Sequence, residues 1–330
     1  MLKRMISFVL ISIGIYFAIA FGLILSQWPS DLAGHETISF SSVENDNGSA
    51  SAAKLQTYVA RDGSKLGVRH FSAKTPEAPL FVFVHGSGWH GGGYVDLAQQ
   101  IAASGKVEVL LPDLRGHGPN PARRGDVDYI GQFEDDIADL ISQYRKDGQE
   151  VILAGHSSGG GITIRFAGGK HRHLIDRAVL MAPFLKHDAP TARENAGGWA
   201  HPLTRRFIGL HMLNMARIPF FNGITAIQFK FPENILASSQ GYTATTAYSY
   251  RLNASYAPRD NYFADIAALP RFLLLVGDRE DAFIAEAYEP TMAAITDKGS
   301  YQILPGVDHI GLGNSPLAAE AILQFLNEKE

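Results

Sequence analysis

The chain contains a five-residue motif that is typical of a serine nucleophile. Gly155-His156-Ser157-Ser158-Gly159 follows the apolar run 151–154 and precedes a segment whose apolar residues have helical spacing. A serine on a sharp strand-to-helix turn exposes its hydroxyl for attack. The flanking glycines permit the unusual backbone angles and the close approach of strand and helix that such a turn needs. Because a motif this short also arises by chance, its meaning depends on the residues around it.

A histidine and two adjacent carboxylates follow the motif in the chain order serine, acid, histidine. A serine hydroxyl is a weak nucleophile at neutral pH and needs a base, and imidazole titrates in the right range. His309, just after the apolar run 301–304, is our candidate base. The base needs a carboxylate that holds its tautomer and stabilises the imidazolium. Glu280 or Asp281, just after the apolar run 272–276, can supply that carboxylate.

A glycine-rich loop after the apolar run 80–84 supplies a further part of this chemistry. The oxyanion of a tetrahedral intermediate needs preorganised N–H donors. One candidate donor is the backbone N–H of Ser158, directly after the nucleophile, and the second is Ser87 in His85-Gly86-Ser87-Gly88. Trp89 and His90 come next and are candidate substrate-binding residues at the pocket mouth, with a solvent-facing loop as the alternative.

The elements that must position these groups alternate between strand-like and helix-like patterns. Apolar runs at 80–84, 107–111, 151–154, 178–182, 272–276 and 301–304 are separated by segments with helical spacing. This alternation predicts a doubly wound, mostly parallel sheet with helices on both faces. Functional groups collect at the carboxyl ends of such strands, where the serine, acid and histidine segments lie. Asp62-Gly63 between two β-rich segments predicts an antiparallel hairpin at the start of the domain.

Residues 184–262 interrupt this alternation. They consist of turns and short amphipathic pieces that are dense in aromatic residues. We interpret them as an inserted helical cap that gives the pocket an apolar ceiling, which suits an acyl or other apolar chain.

These motifs together resemble the α/β-hydrolase superfamily, specifically the capped serine hydrolases that include monoacylglycerol lipases, lysophospholipases and aminopeptidase-like enzymes. The resemblance covers residues 55–330, and it includes the segment Asp113-Leu114-Arg115-Gly116-His117-Gly118 beside the motifs above. It implies an α/β-hydrolase fold and a reaction through an acyl-enzyme. In the usual family spacing, the acid is an aspartate three residues beyond the glycine that ends its strand. Counted from Gly277, that position holds Glu280, so spacing favours Glu280 while residue type favours Asp281, and both stay open.

Composition excludes several other classes of protein. The 330 residues carry a net charge of −4 and no basic, aromatic-rich run, so we expect no nucleic-acid partner. The absence of cysteine excludes disulfides, thiolate metal sites and a cysteine nucleophile. We expect no cofactor and no metal, because the chemistry above requires neither. The histidine pair at 171 and 173 could suggest a metal, but it lies in a basic stretch without adjacent carboxylate or thiol partners in the sequence.

The N-terminal segment 1–28 is predicted to be a membrane anchor. Positions 6–25 carry no charged side chain, and as a helix they would span the roughly 30 Å of a bilayer core. Lys3 and Arg4 precede this span and acidic residues follow it, which predicts a cytoplasmic N-terminus and an extracytoplasmic domain. A cleaved signal peptide is the alternative. Residues 29–54 are predicted to be a flexible linker, because the Ser, Asn, Asp and Gly-rich part at 39–53 has little to bury.

The sequence therefore predicts a membrane-anchored serine hydrolase that cleaves carboxylic esters of lipid-like or other apolar substrates. A serine peptidase on the same fold is one alternative, although the predicted cap has only two glutamates, Glu194 and Glu233, to hold a substrate amino group. A non-catalytic binding module is the other alternative.

Overall fold

A computed structural model describes residues 1–40 and 54–328. The strands are β1 (Leu55–Val59), β2 (Lys65–Phe71), β3 (Leu80–Val84), β4 (Glu108–Pro112), β5 (Val151–His156), β6 (Arg177–Met181), β7 (Ala200–Pro202), β8 (Thr225–Phe229), β9 (Ala247–Ser249), β10 (Arg271–Arg279) and β11 (Gly299–Asp308). The α-helices are α1 (Leu2–Leu25), α2 (Val95–Ala103), α3 (Gln132–Tyr144), α4 (Ser158–Ala167), α5 (Thr204–Met215), α6 (Glu233–Ala237), α7 (Tyr250–Tyr256), α8 (Tyr262–Ala267), α9 (Tyr288–Ala293) and α10 (Pro316–Asn327).

An eight-stranded sheet forms the centre of the molecule, in the order β1-β2-β4-β3-β5-β6-β10-β11. Strand β2 runs antiparallel to β1 and β4, and from β4 onward in this order the neighbouring strands are parallel. Every residue of β3, β5 and β6 is buried, as expected for parallel strands that are covered on both faces. The predicted α/β-hydrolase architecture and its mostly parallel sheet are confirmed.

The opening hairpin forms where the sequence predicts it. Val59 pairs with Lys65 across the turn that contains Asp62-Gly63, and Gly63 has a φ of +83°. Glycine adopts such a positive φ at little cost, which explains its presence at this turn.

The cap between β6 and β10 differs from the prediction of a helical insertion. It contains a three-stranded antiparallel sheet, β7-β8-β9, beside α5, α6 and α7. Strand β8 is rich in β-branched and aromatic residues, which pack well in sheets. Its partners β7 and β9 are distant from it in the chain, so the local pattern gave no indication of their pairing.

The apolar helix α1 packs against the cap. Ala20 and Ile24 are buried against Leu210 and Leu213 of α5. The two helices approach so closely that a Cβ atom on Gly209 would lie 2.5 Å from the carbonyl oxygen of Ala20. The 24 residues of α1 span about 36 Å at 1.5 Å per residue, and the helix is long and apolar enough to cross a membrane.

Residues 36–40, which we call the strap, also contact the domain. Residues 41–53 of the predicted flexible linker lie outside the described residues. Within the strap, however, Ile38 and Phe40 are buried, and the Thr37 hydroxyl donates to the carbonyl of Lys230 at 2.7 Å. The prediction of a free tether is therefore wrong for this part, because its two apolar side chains are buried in the domain.

Candidate active site

Ser157 lies on the sharp turn between β5 and α4. Its φ of 55° and ψ of −122° are strained for a residue with a side chain. The turn is held by Ser157 N–H, which donates to Met181, and by Ser157 C=O, which accepts from Phe184. A Cβ on Gly159 would lie 2.2 Å from the carbonyl oxygen of Val84, which explains why the motif needs glycine there.

His309, immediately after β11, lies beside Glu280. Its Nδ1 atom is 2.7 Å from Oε1 of Glu280, and both side chains are buried. The same carboxylate oxygen accepts the backbone N–H groups of Ala282 at 3.0 Å and Phe283 at 3.1 Å. These bonds fix the carboxylate so that it can orient the imidazole.

Asp281 contacts the strap. Its Oδ2 atom accepts the backbone N–H of Ser39 in the strap at 2.7 Å. Of the two acids that the sequence leaves open, the structure therefore places Glu280 beside the imidazole and Asp281 against the strap.

The carboxylates around His309 raise its pKa above the ordinary value of 6.5. Burial by itself lowers this pKa, but the charges of Glu280, Asp281 and Asp308 together outweigh that effect. The site therefore favours the imidazolium form that a base acquires when it takes a proton.

Two tyrosines hold the loop that contains Ser87. The N–H of Gly86 donates to the Tyr94 hydroxyl at 3.1 Å, and the N–H of Gly88 donates to the Tyr248 hydroxyl at 2.5 Å. The peptide planes on both sides of the Ser87 N–H are thus fixed. The other predicted oxyanion donor, Ser158, begins α4, where the first N–H groups have no acceptor within the helix.

Each tyrosine in turn donates a hydrogen bond to a buried histidine. The Tyr248 hydroxyl accepts from Gly88, so it donates to Nε2 of His117 at 2.6 Å, and Nδ1 of His117 donates to the carbonyl of Arg115. Tyr94 is likewise 2.9 Å from Nδ1 of His156. Burial holds the pKa of both histidines well below the ordinary range, which keeps the accepting nitrogens unprotonated.

His85 braces the loop from the other side. Its Nε2 accepts the backbone N–H of Leu114 at 3.1 Å, and its Nδ1 donates to the carbonyl of Gly86 at 2.8 Å. Burial lowers its pKa to about 4, so this hydrogen-bonded tautomer persists at neutral pH.

A narrow apolar pocket leads to Ser157 and His309. Its wall includes Trp89 from the loop, Trp199 and Phe231 from the cap, and Phe40 from the strap, and its free volume is about 50 Å³. Trp89 therefore lies where the sequence predicts a substrate-binding residue.

The prediction for His90 is wrong. His90 is buried beneath the loop, where its Nδ1 accepts the N–H of Gly92 at 3.1 Å and lies 3.7 Å from Asp113. The described residues that line the pocket do not include His90. The His90 ring stacks on the ring of Trp89, with centroids 5.3 Å apart, so His90 supports the pocket wall from behind Trp89 and does not line it.

Sequence reasoning did not identify Tyr94, Tyr248 or Phe40. Tyr248 lies 160 residues from Gly88 in the chain, and Phe40 falls in the segment predicted to be a linker. The aromatic density of the cap was the one available signal for Tyr248, and it does not distinguish one tyrosine from another.

Comparison with known proteins agrees with this architecture. Residues 81–321 match the model of the Alpha/beta hydrolase family. Monoglyceride lipase from Homo sapiens is 34% identical over 134 residues, which cover 40% of this chain and 43% of that protein. The chain thus spans less than half the length of this curated relative.

Two solved structures show the same fold at low sequence identity. A soluble variant of monoglyceride lipase from Saccharomyces cerevisiae, in complex with a substrate analog, has a TM-score of 0.60 at 16% identity and covers 91% of this chain and 96% of its own. A membrane phospholipase A, described as a bacterial virulence factor, has a TM-score of 0.58 at 18% identity and covers 99% of this chain and 98% of its own. With the family match over residues 81–321, the chain belongs to the Alpha/beta hydrolase family.

Proposed function

We propose that this protein is a serine hydrolase that cleaves carboxylic esters. The observation that carries the proposal is the convergence on one pocket of Ser157, on its strained turn, and His309, 2.7 Å from Glu280. A nucleophile, a base and an acid that orients the base are the groups that acyl transfer requires.

The reaction proceeds in two halves. Ser157 Oγ attacks the ester carbonyl carbon while His309 Nε2 takes the hydroxyl proton, and the N–H groups of Ser87 and Ser158 stabilise the oxyanion. Collapse of the tetrahedral intermediate breaks the bond to the alcohol oxygen, which leaves with the proton from His309. Water then attacks the acyl-enzyme, His309 takes its proton and returns it to Ser157, and the carboxylic acid departs. Glu280 stays ionised and stabilises the imidazolium.

Apolar acyl esters are the substrates that this pocket suits best. Aromatic side chains from the loop, the cap and the strap surround the serine, and such walls favour an acyl chain over a polar group. The human and yeast relatives named above are monoglyceride lipases, which is consistent with a lipid-like ester.

We also propose that α1 is retained as a membrane anchor, with a cytoplasmic N-terminus and the catalytic domain outside. Removal of α1 as a signal peptide would uncover Leu210 and Leu213 of the cap, which Ala20 and Ile24 now bury. An intact-mass measurement of the purified native protein tests this proposal. A mass that lacks α1 would contradict it.

Substitution of the nucleophile tests the enzymatic proposal. In Ser157→Ala, hydrolysis of p-nitrophenyl esters should fall at least about a thousandfold and labelling by a fluorophosphonate probe should vanish. Ser142→Ala, which alters an exposed serine on α3, is the matched control and should label like the wild type. Continued labelling of Ser157→Ala would refute the assignment. Parallel assays with aminoacyl amides would detect a peptidase instead.

A further inference from the structure

The strap places two apolar side chains beside the catalytic serine. Ile38 and Phe40 line the same pocket as Ser157, and each is less than a tenth exposed. The ring of Phe40 packs against the cap aromatics, with centroids 5.6 Å from Trp199 and 5.8 Å from Phe231. Such distances are typical of packed aromatic rings, so Phe40 is an integral part of the wall.

Hydrogen bonds fix the strap at two points. Thr37 bonds the cap through the carbonyl of Lys230, and the backbone N–H of Ser39 bonds Asp281, the residue after Glu280. The cap backbone also approaches closely, since a Cβ on Gly198 would lie 2.6 Å from the carbonyl oxygen of Glu36. The strap thus bridges the cap and the loop that carries the acid.

We propose that the strap is a wall of the acyl-binding site and that Phe40 sets the length of acyl chain that the enzyme accepts. The inference rests on the proposed esterase function. The free volume of about 50 Å³ is well below the roughly 300 to 1,000 Å³ of sites that enclose a whole small-molecule ligand. A long acyl chain therefore needs a larger volume than the pocket offers while the strap is packed against the cap. Removing a packed phenyl ring beside the serine supplies that room.

Substitution of Phe40 tests this role by the chain-length profile. The full chain in detergent is assayed with p-nitrophenyl acetate, butyrate, octanoate and laurate. In Phe40→Ala, the ratio of kcat/KM for octanoate to that for acetate should rise about tenfold or more, because added methylenes then find an apolar site. In Phe40→Trp the ratio should fall. Phe263→Ala, which removes a half-exposed phenyl ring on α8, is the matched control and should keep the wild-type ratio. An unchanged or lower ratio in Phe40→Ala overturns the proposal.

Two further measurements separate this inference from misfolding and from failure of the proposed function. Phe40→Leu keeps an apolar side chain in the wall and should raise the ratio of octanoate to acetate kcat/KM by less than Phe40→Ala does. If Phe40→Ala fails to fold, Phe40→Leu still tests the proposal. Binding of decanoic acid to Ser157→Ala, followed by the fluorescence of Trp89 and Trp199 in the pocket wall, needs no catalysis. Adding Phe40→Ala to that variant should tighten binding severalfold. Tighter binding of decanoic acid, combined with no ester hydrolysis by the wild type, would support the proposed role of the strap and refute the esterase function. Unchanged binding of decanoic acid would refute the proposed role of the strap.

Discussion

The hydroxyl of Tyr248 lies 2.5 Å from the backbone nitrogen of Gly88, so a cap residue holds the loop that carries a proposed oxyanion donor. The carbonyl of Gly88 also accepts the N–H of the cap residue Thr245 at 2.8 Å. The cap therefore fixes the residue after Ser87 through both of its backbone polar groups. Fixed donors are more effective for an oxyanion than mobile ones, because they need no reorganisation during the reaction.

We predict that Tyr248→Phe lowers kcat by about tenfold with a smaller change in KM, because the displaced donor acts mainly on the transition state. The substitution also leaves Gly88 N–H and His117 Nε2 without their partner, which should reduce the free energy of unfolding by about 1–3 kcal/mol. Steady-state kinetics and thermal unfolding check both effects. Tyr242→Phe, at an exposed cap tyrosine, is the control. Equal kinetics in the two variants would show that the Tyr248 contact does not support catalysis.

We predict that the two neighbouring acids respond very differently to removal of their charge. Glu280→Gln should lower kcat by about a hundredfold or more, since the imidazolium loses its stabilising carboxylate. Asp281→Asn keeps an oxygen for the Ser39 N–H and should retain kcat within about tenfold. Measurement of kcat for both variants distinguishes the roles of the two acids. A larger loss in Asp281→Asn than in Glu280→Gln would reverse the assignment.

The sequence was sufficient for the framework of this site but not for every contact. Continuous apolar runs and the order of Ser157 and His309 predict a parallel sheet with its functional loops at one edge, and that sheet is present. For the acid, spacing favours Glu280 and residue type favours Asp281, and only the conformation of the loop decides which of the two adjacent side chains lies beside His309. Phe40 and Tyr248 join the site through contacts between segments that are far apart in the chain, and no local periodicity reports such pairs.

We predict that the activity falls on the acid side through a pKa above 6.5. His309 must be neutral to act as base, and the surrounding carboxylates raise its pKa, so kcat/KM should decrease as the pH falls through that raised value. Asp281→Asn removes one of those charges and should move this limb to lower pH. The raised pKa of His309 also stabilises the folded protein. This stabilisation is fully present below pH 6.5 and is lost as the pH rises through the folded-state pKa. Profiles of kcat/KM against pH for the wild type and Asp281→Asn test the direction of this change. An acid-side decrease at the same pH in both proteins would contradict the charge effect.

The close packing of α1 on the cap yields a prediction with an internal control. Gly209 and Gly22 both lie within helices, where replacing glycine with alanine normally stabilises by about 0.5–1 kcal/mol. At Gly22 the new Cβ meets no atom within 4 Å, whereas at Gly209 it would lie 2.5 Å from the carbonyl oxygen of Ala20. That contact is to backbone and cannot be relieved by rotation of a side chain, so the helices must separate, at a cost of about 1–3 kcal/mol. Thermal unfolding of the full chain in detergent should therefore show a lower midpoint for Gly209→Ala and an equal or higher midpoint for Gly22→Ala. If Gly209→Ala is as stable as Gly22→Ala, α1 does not pack on the cap in the folded protein.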